Sequence, residues 1–305
     1  MRGIIKEVFP VLLAVLIPLV SFTTGLLAAR QGPGGGAARL WRKPEHLSRD
    51  LLAILILVPL WTLLLVSIVP LSPVIRAGLL VVALAVGIGP VAGMKRMGGA
   101  TGEAQEALDL NLVVLVISLA FVPLGFAALA SLFHREFHVG VGAVAKVVLG
   151  RALIPVLLGL GAARLVPNLA AKAGPVLMKI INVVLLLVVV LALVATWKNL
   201  AALGAVGWIV ITLAALGAVI IGHLLGGPHP GTRGIVAAAS AMRFPALALV
   251  LAAAMPRGEQ VLPVVIAYAL VSVLILTAYG AVMSRRRHRK QGEAVTPLRP
   301  APRGA

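Results

Sequence analysis

Gly87-Ile88-Gly89-Pro90-Val91-Ala92-Gly93-Met94-Lys95-Arg96-Met97-Gly98-Gly99 follows the apolar run Leu79–Val86, and Ser240-Ala241-Met242-Arg243-Phe244-Pro245-Ala246 interrupts the apolar run Ile235–Ala254. Both stretches place Gly or Pro beside a cation where the flanking sequence is almost wholly hydrocarbon. Working outward from them, 61% of the 305 residues are hydrophobic, only 12% are charged and the mean hydropathy is +1.09. A soluble domain runs about 45–50% apolar and about 25% charged, so these values describe a polytopic membrane protein. In a bilayer, charge is tolerated mainly against a partner or a wet cavity, and backbone freed by Gly or Pro must be buried in protein or line water. Two such breaks in corresponding halves of a chain point to the substrate site of a secondary transporter.

The net charge of +18 would suggest nucleic acid in a soluble chain. Here the bases fall in loops and in the tail Arg285-Arg286-Arg287-His288-Arg289-Lys290, where membrane topology accounts for them, and no nucleic-acid partner is expected. With no cysteine, disulfides, thiolate metal sites and cysteine nucleophiles are excluded. No other cofactor motif is present.

A spanning helix needs about 20 apolar residues, and the pattern predicts nine: Val8–Ala28, Leu51–Pro70, Val74–Met94, Leu108–Phe133, Val141–Leu165, Val176–Trp197, Leu203–Leu225, Ile235–Met255 and Val261–Ser284. Pro10, Pro18, Pro123 and Pro155 are expected to kink their helices. The basic tail belongs in the cytoplasm, which puts the N-terminus outside the cell membrane and the base-rich loop Arg30–Asp50 inside. Arg2 and Lys6 misfit that orientation. Residues 1–28 also carry features of a signal peptide, but cleavage would leave Arg30–Asp50 outside, against the charge rule. Residues 285–305, basic and rich in Pro and Gly, read as a disordered cytoplasmic tail.

Lys95 and Arg243 stand half a chain length apart, and each break leads into a long apolar helix. That spacing suggests two repeats of inverted topology, residues 1–133 with four spans and 134–284 with five. A loop reading of Lys95–Glu106, with bases and acids simply solvated, remains open. Arg243 resists it, because apolar residues flank it so deeply on both sides that snorkelling would not reach water.

In order and spacing these segments resemble the bile acid:sodium symporter family over nearly the whole chain. The features that carry the likeness include Phe22-Thr23-Thr24-Gly25-Leu26, Arg42-Lys43-Pro44, Val58-Pro59-Leu60, Pro70-Leu71-Ser72-Pro73, the break at Pro90 and Val122-Pro123-Leu124. In the second half they are Leu153-Ile154-Pro155, Gly222-His223-Leu224-Leu225-Gly226-Gly227-Pro228, Thr232-Arg233 and Ala241-Met242-Arg243-Phe244-Pro245. The resemblance implies a panel domain, a core domain, two broken helices crossing in the core, and transport of organic anions by alternating access. The family's usual ten helices would here be nine, the first being absent. Sodium-coupled members read roughly Pro-Gly-Gly-x-x-Ser-Asn at the first crossing and Glu-x-x-x-Gln-Asn at the second. Aligned on Pro90 and Leu247, the corresponding ligand positions are Lys95, Arg96, Ala239, Arg243 and Phe244. Sodium wants oxygen ligands, and a fixed cation a few Å away costs several kcal/mol even at an effective dielectric near 20. The family's sodium sites are therefore not expected here.

The reading that follows is a secondary transporter of a small carboxylate, sodium-independent, with Pro90, Lys95, Arg96, Asn111, Ser240, Met242, Arg243, Phe244 and Pro245 as substrate-site candidates. Arg matches carboxylates through its planar fork, and Lys, whose pKa falls readily on burial, makes Lys95 the candidate proton carrier. Sodium-coupled symport despite the substitutions is the alternative within transport, and a membrane enzyme or sensor is the alternative outside it. An enzyme needs a titratable constellation, yet Glu7, Glu45, Asp50, Glu136, Glu259 and Glu293 fall in loops or termini and only Glu103, Glu106 and Asp109 approach a break. A sensor needs an output domain, and the tail is too short to be one.

Overall fold

The computed structural model describes residues 2–28, 44–86, 101–133, 141–253, 255 and 258–295. In lipid the backbone of so apolar a chain must satisfy itself, and every regular element among these residues is helical. In chain order they are α1 (Arg2–Ala28), α2 (Pro44–Ile68), α3 (Pro73–Leu84), α4 (Thr101–Leu132), α5 (141–165), α6 (Pro167–Ala201), α7 (Gly204–Leu225), α8 (Pro230–Ala241), α9 (Pro245–Ala253) and α10 (Gly258–Val295). Two of them contain a wider π turn, Leu52–Leu57 in α2 and Leu149–Leu153 in α5.

Among the described residues, six stretches are long and apolar enough to cross a membrane: Pro44–Ile68, Asp109–Leu132, Val144–Leu165, Pro167–Val188, Gly204–Leu225 and Gly258–Arg286. The other three predicted spans come out differently. The first lies within α1, which runs from Arg2 to Ala28 and holds the apolar stretch Ala14–Leu27, and Pro73–Leu84 is a shorter apolar helix. In the third the helix ends at Leu84, and residues 87–94 of the predicted span lie outside the described residues. The eighth divides into α8 and α9, because Pro245 offers no N–H and disfavours helical dihedrals in the residue before it. The tail also departs from expectation: α10 runs on through Arg285–Lys290 to Val295. Arg, Lys, Gln and Glu are good helix formers, and they prolong a helix already nucleated in the membrane.

Apolar helices gain little hydrophobic free energy by leaving lipid for one another, so close packing must hold them together. Small residues supply it. α1 packs on α5, where a Cβ on Gly25 would strike the Val156 carbonyl and one on Gly159 would strike the Phe22 carbonyl. α7 packs on α8 in the same manner, with a Cβ on Gly222 or Gly226 falling 2.6 Å from the Cα of Ala237 or Arg233. α1 also lies against α6, while α10 contacts α3, α7, α8 and α9. Only 17% of Pro167–Val188 is buried against 56% of Gly258–Arg286, which makes α6 peripheral and α10 central.

The buried apolar side chains form two main clusters. One gathers Leu16, Leu80, Ala85, Leu115, Phe244, Leu247 and Val264. The other gathers Ile54, Leu55, Val86, Leu110, Val113, Ala218, Ile235, Ala241 and Leu276. The end of α3 and the α8–α9 break sit on the boundary, since Ala85 and Val86 fall on opposite sides of it, as do Phe244 and Ala241. The polar groups of the α8–α9 break therefore occupy a layer between two apolar masses.

Candidate functional site

The end of α3, just ahead of the first break, touches the second break. At the end of α3, Ala85 donates its N–H to Val81 at 2.9 Å, but its dihedrals (φ −72°, ψ 58°) leave the helix and free its carbonyl. Phe244, in the α8–α9 break, donates its N–H to that carbonyl at 2.9 Å. Within the second break the Met242 N–H goes to Ala238 at 2.8 Å and the Arg243 N–H to Ala241 at 3.0 Å. Each backbone N–H from 242 to 244 is thus satisfied, as an irregular segment away from water requires.

Arg243 is 3% exposed. Its Nη1 donates to the Ile54 carbonyl, in the π turn of α2, at 2.9 Å. Nε and Nη2 are fully buried and have no hydrogen-bond partner among the described residues. Those two nitrogens form one edge of the guanidinium, the fork that pairs bidentately with a carboxylate. Tyr268 on α10 donates its hydroxyl to the Ala241 carbonyl at 3.2 Å and lies near enough to the guanidinium to interact electrostatically. Ser240, one turn before Arg243, is buried with a hydroxyl that finds no partner among the described residues, and the buried Ser272, one turn after Tyr268, lies beside that tyrosine's hydroxyl. A buried hydroxyl without a partner is uncommon enough to require a reason, and here one accompanies an unfilled arginine edge.

Of the residues singled out from the sequence, Ser240, Met242, Arg243, Phe244 and Pro245 come together at this break. Phe244 is buried in the first apolar cluster, and Met242 packs against the second. Asn111 is buried on α4, a helix that packs against α8; it and the buried Asp109 are each engaged in an interaction. Pro90, Lys95 and Arg96 lie outside the described residues.

Sequence reasoning missed Tyr268 and Ile54. A signal existed for the first, since a tyrosine midway along an apolar span needs a partner for its hydroxyl. For the second, Pro59 within the span Leu51–Pro70 announces that a carbonyl nearby loses its usual donor.

The model of the Sodium Bile acid symporter family matches residues 36–203, a little over half the chain, from ahead of α2 to the start of α7. The α8–α9 break falls beyond the matched region. No curated protein matches the chain.

Proposed function

The chain belongs to the Sodium Bile acid symporter family, and from that premise we propose that this membrane transporter carries a small organic anion without coupling to sodium. One observation carries the reading: a fully buried arginine at a helix break keeps one whole edge, Nε and Nη2, unpaired among the described residues. Leaving a buried guanidinium half satisfied is costly. A carboxylate arriving on that edge would form two charge-assisted hydrogen bonds and offset the charge, while Ser240 and Ser272 offer hydroxyls in the same layer.

The side chains at the positions where the resemblance places sodium ligands do not suit that ion. Ala239 presents a methyl group, Phe244 a ring in the apolar cluster and Arg243 a buried cation. None is an oxygen donor of the kind that hard cations require. No transport step is therefore assigned to sodium.

The wider architecture proposed is nine spans in two inverted repeats, with two broken helices crossing in a core and a panel moving against it. The hydrogen bond between Phe244 and Ala85, joining the second break to the end of the helix that leads into the first, supports the crossing. The packing of α1 with α5 and α6 supports a panel, and that of α2, α3, α7, α8 and α10 among themselves supports a core. Alternating access would then expose the layer between the two apolar clusters to each side in turn.

Uptake into proteoliposomes tests the function. A panel of carboxylates is offered under imposed sodium or proton gradients, with the Arg243→Met variant as control. Saturable uptake that survives replacement of sodium by choline and vanishes in the variant is the expected result. Uptake that rises steeply with sodium would favour the sodium-coupled alternative.

A further inference from the structure

The anchor that holds Arg243 is a backbone carbonyl, and its availability can be traced to one residue. In a regular helix the Ile54 carbonyl would accept from the N–H of Val58, and in a π turn from that of residue 59. Val58 donates to Ala53 instead. Residue 59 is proline and has no N–H to give. Neither of Ile54's usual intrahelical donors reaches it, at a depth where an unsatisfied backbone acceptor is expensive. Arg243 Nη1 fills the place from 189 positions away in the chain, at 2.9 Å.

We propose that Pro59 is a positioning residue for substrate binding: by withholding an N–H from the Ile54 carbonyl it leaves that oxygen as the anchor for Arg243 Nη1, which holds the opposite Nε–Nη2 edge open for the anion. The inference rests on the anion-binding reading of Arg243 and adds the device that orients it. A guanidinium is planar, so fastening Nη1 sets the plane and direction of the remaining edge. Without the anchor the guanidinium keeps only its interaction with the Tyr268 hydroxyl, which does not fix the plane of the fork.

The chain contains its own control. In α5 the π turn Leu149–Leu153 is likewise followed by a proline: Ile154 donates to Leu149, and Pro155 has no N–H to offer Gly150. No arginine among the described residues reaches that carbonyl, and Gly150 lies at the exposed surface. A π turn followed by proline therefore does not by itself make a binding site. The difference lies in what the freed oxygen meets.

Structures of the full-length native protein and of Pro59→Ala test the anchor without any ligand. The expected result is that the backbone N–H gained at position 59 extends the π turn by one residue and takes the Ile54 carbonyl, and that Arg243 Nη1 withdraws beyond about 3.5 Å; an N–H that goes instead to Leu55, as in an α turn, with Nη1 still hydrogen-bonded to Ile54, would overturn the proposal. Binding of cholate to the protein in nanodiscs tests the consequence. Pro59→Ala should weaken it about tenfold, the worth of one hydrogen bond to a charged group. Pro155→Ala should leave it unchanged. In an Arg243→Met background Pro59→Ala should have no further effect, because it acts only through the arginine. A general structural role for Pro59 would instead add its penalty in both backgrounds, and that outcome overturns the proposal. The two levels separate cleanly. If Arg243→Met abolishes cholate binding while Pro59→Ala leaves it intact, only the positioning role fails. If Arg243→Met itself leaves binding intact, the anion reading fails, and the structural comparison still decides whether Pro59 places the side chain.

Discussion

Replacing Arg243 with methionine removes the charge while keeping much of the side-chain volume, and the structure sets the size of both consequences. On the stability side, the variant loses one hydrogen bond from a charged donor, Nη1 to the Ile54 carbonyl at 2.9 Å, worth about 1.5–3 kcal/mol. It also escapes the desolvation of a guanidinium whose Nε and Nη2 are buried without described partners; replacing buried charge by apolar groups is often neutral or stabilising by about 1–4 kcal/mol. The two contributions nearly cancel, so the melting temperature should move by a few degrees in either direction. On the binding side nothing cancels. A carboxylate on the open edge loses two charge-assisted hydrogen bonds at about 1.5–3 kcal/mol each, so roughly 3–6 kcal/mol, a hundredfold to ten-thousandfold in Kd. The assay is calorimetric titration of a transported carboxylate into the nanodisc-embedded variant, with thermal unfolding followed on the same sample. Arg243→Lys should fall between the two, retaining the charge and losing the fork. A variant that melts far below the native protein yet binds with native affinity would refute the reasoning, because Arg243 would then be a structural residue.

Three further outcomes are expected. Replacing sodium by choline in the uptake buffer should leave the transport rate unchanged, since Ala239, Arg243 and Phe244 supply no oxygen ligands; a steep sodium dependence would contradict the electrostatic argument. Lys95→Ala should alter the pH profile of uptake if that lysine carries the coupled proton, as its neighbourhood of Gly, Pro and apolar residues suggests, and an unchanged profile would remove it from that role. Gly159→Leu should destabilise the protein by about 1–3 kcal/mol or prevent assembly, because the new side chain meets the Phe22 carbonyl and not a movable side chain; Gly161→Leu, two positions away with open space around its Cα, should melt like the native protein.

Much of the fold was legible because its signals are local. Pro245 ends α8 through its own missing N–H, and the surroundings of Arg243 demanded burial whatever the tertiary structure. The extension of α10 to Val295 was less legible: composition suggested disorder, whereas a helix anchored in the bilayer carries its hydrogen bonding forward into a charged sequence. Where the third helix ends was not legible, because Gly87 and Pro90 permit a break without saying on which residue it begins. The hydrogen bonding places the break at Ala85, where the carbonyl has found Phe244.

Taken alone, the amino-acid sequence determined that this chain lives in a membrane, where its apolar segments lie, and that a cation sits in each of two breaks half a chain apart. Those conclusions follow from the cost of charge and of unpaired backbone in hydrocarbon, which each segment meets by itself. Only the tertiary structure decided which oxygen Arg243 would hold and which edge of its guanidinium would stay open. The Ile54 carbonyl is freed by the π turn and Pro59 in α2, but the arginine that takes it arrives from the break between α8 and α9. No local pattern at either place encodes the meeting, because it depends on how α2 and α8 pack and on the register at which they come together.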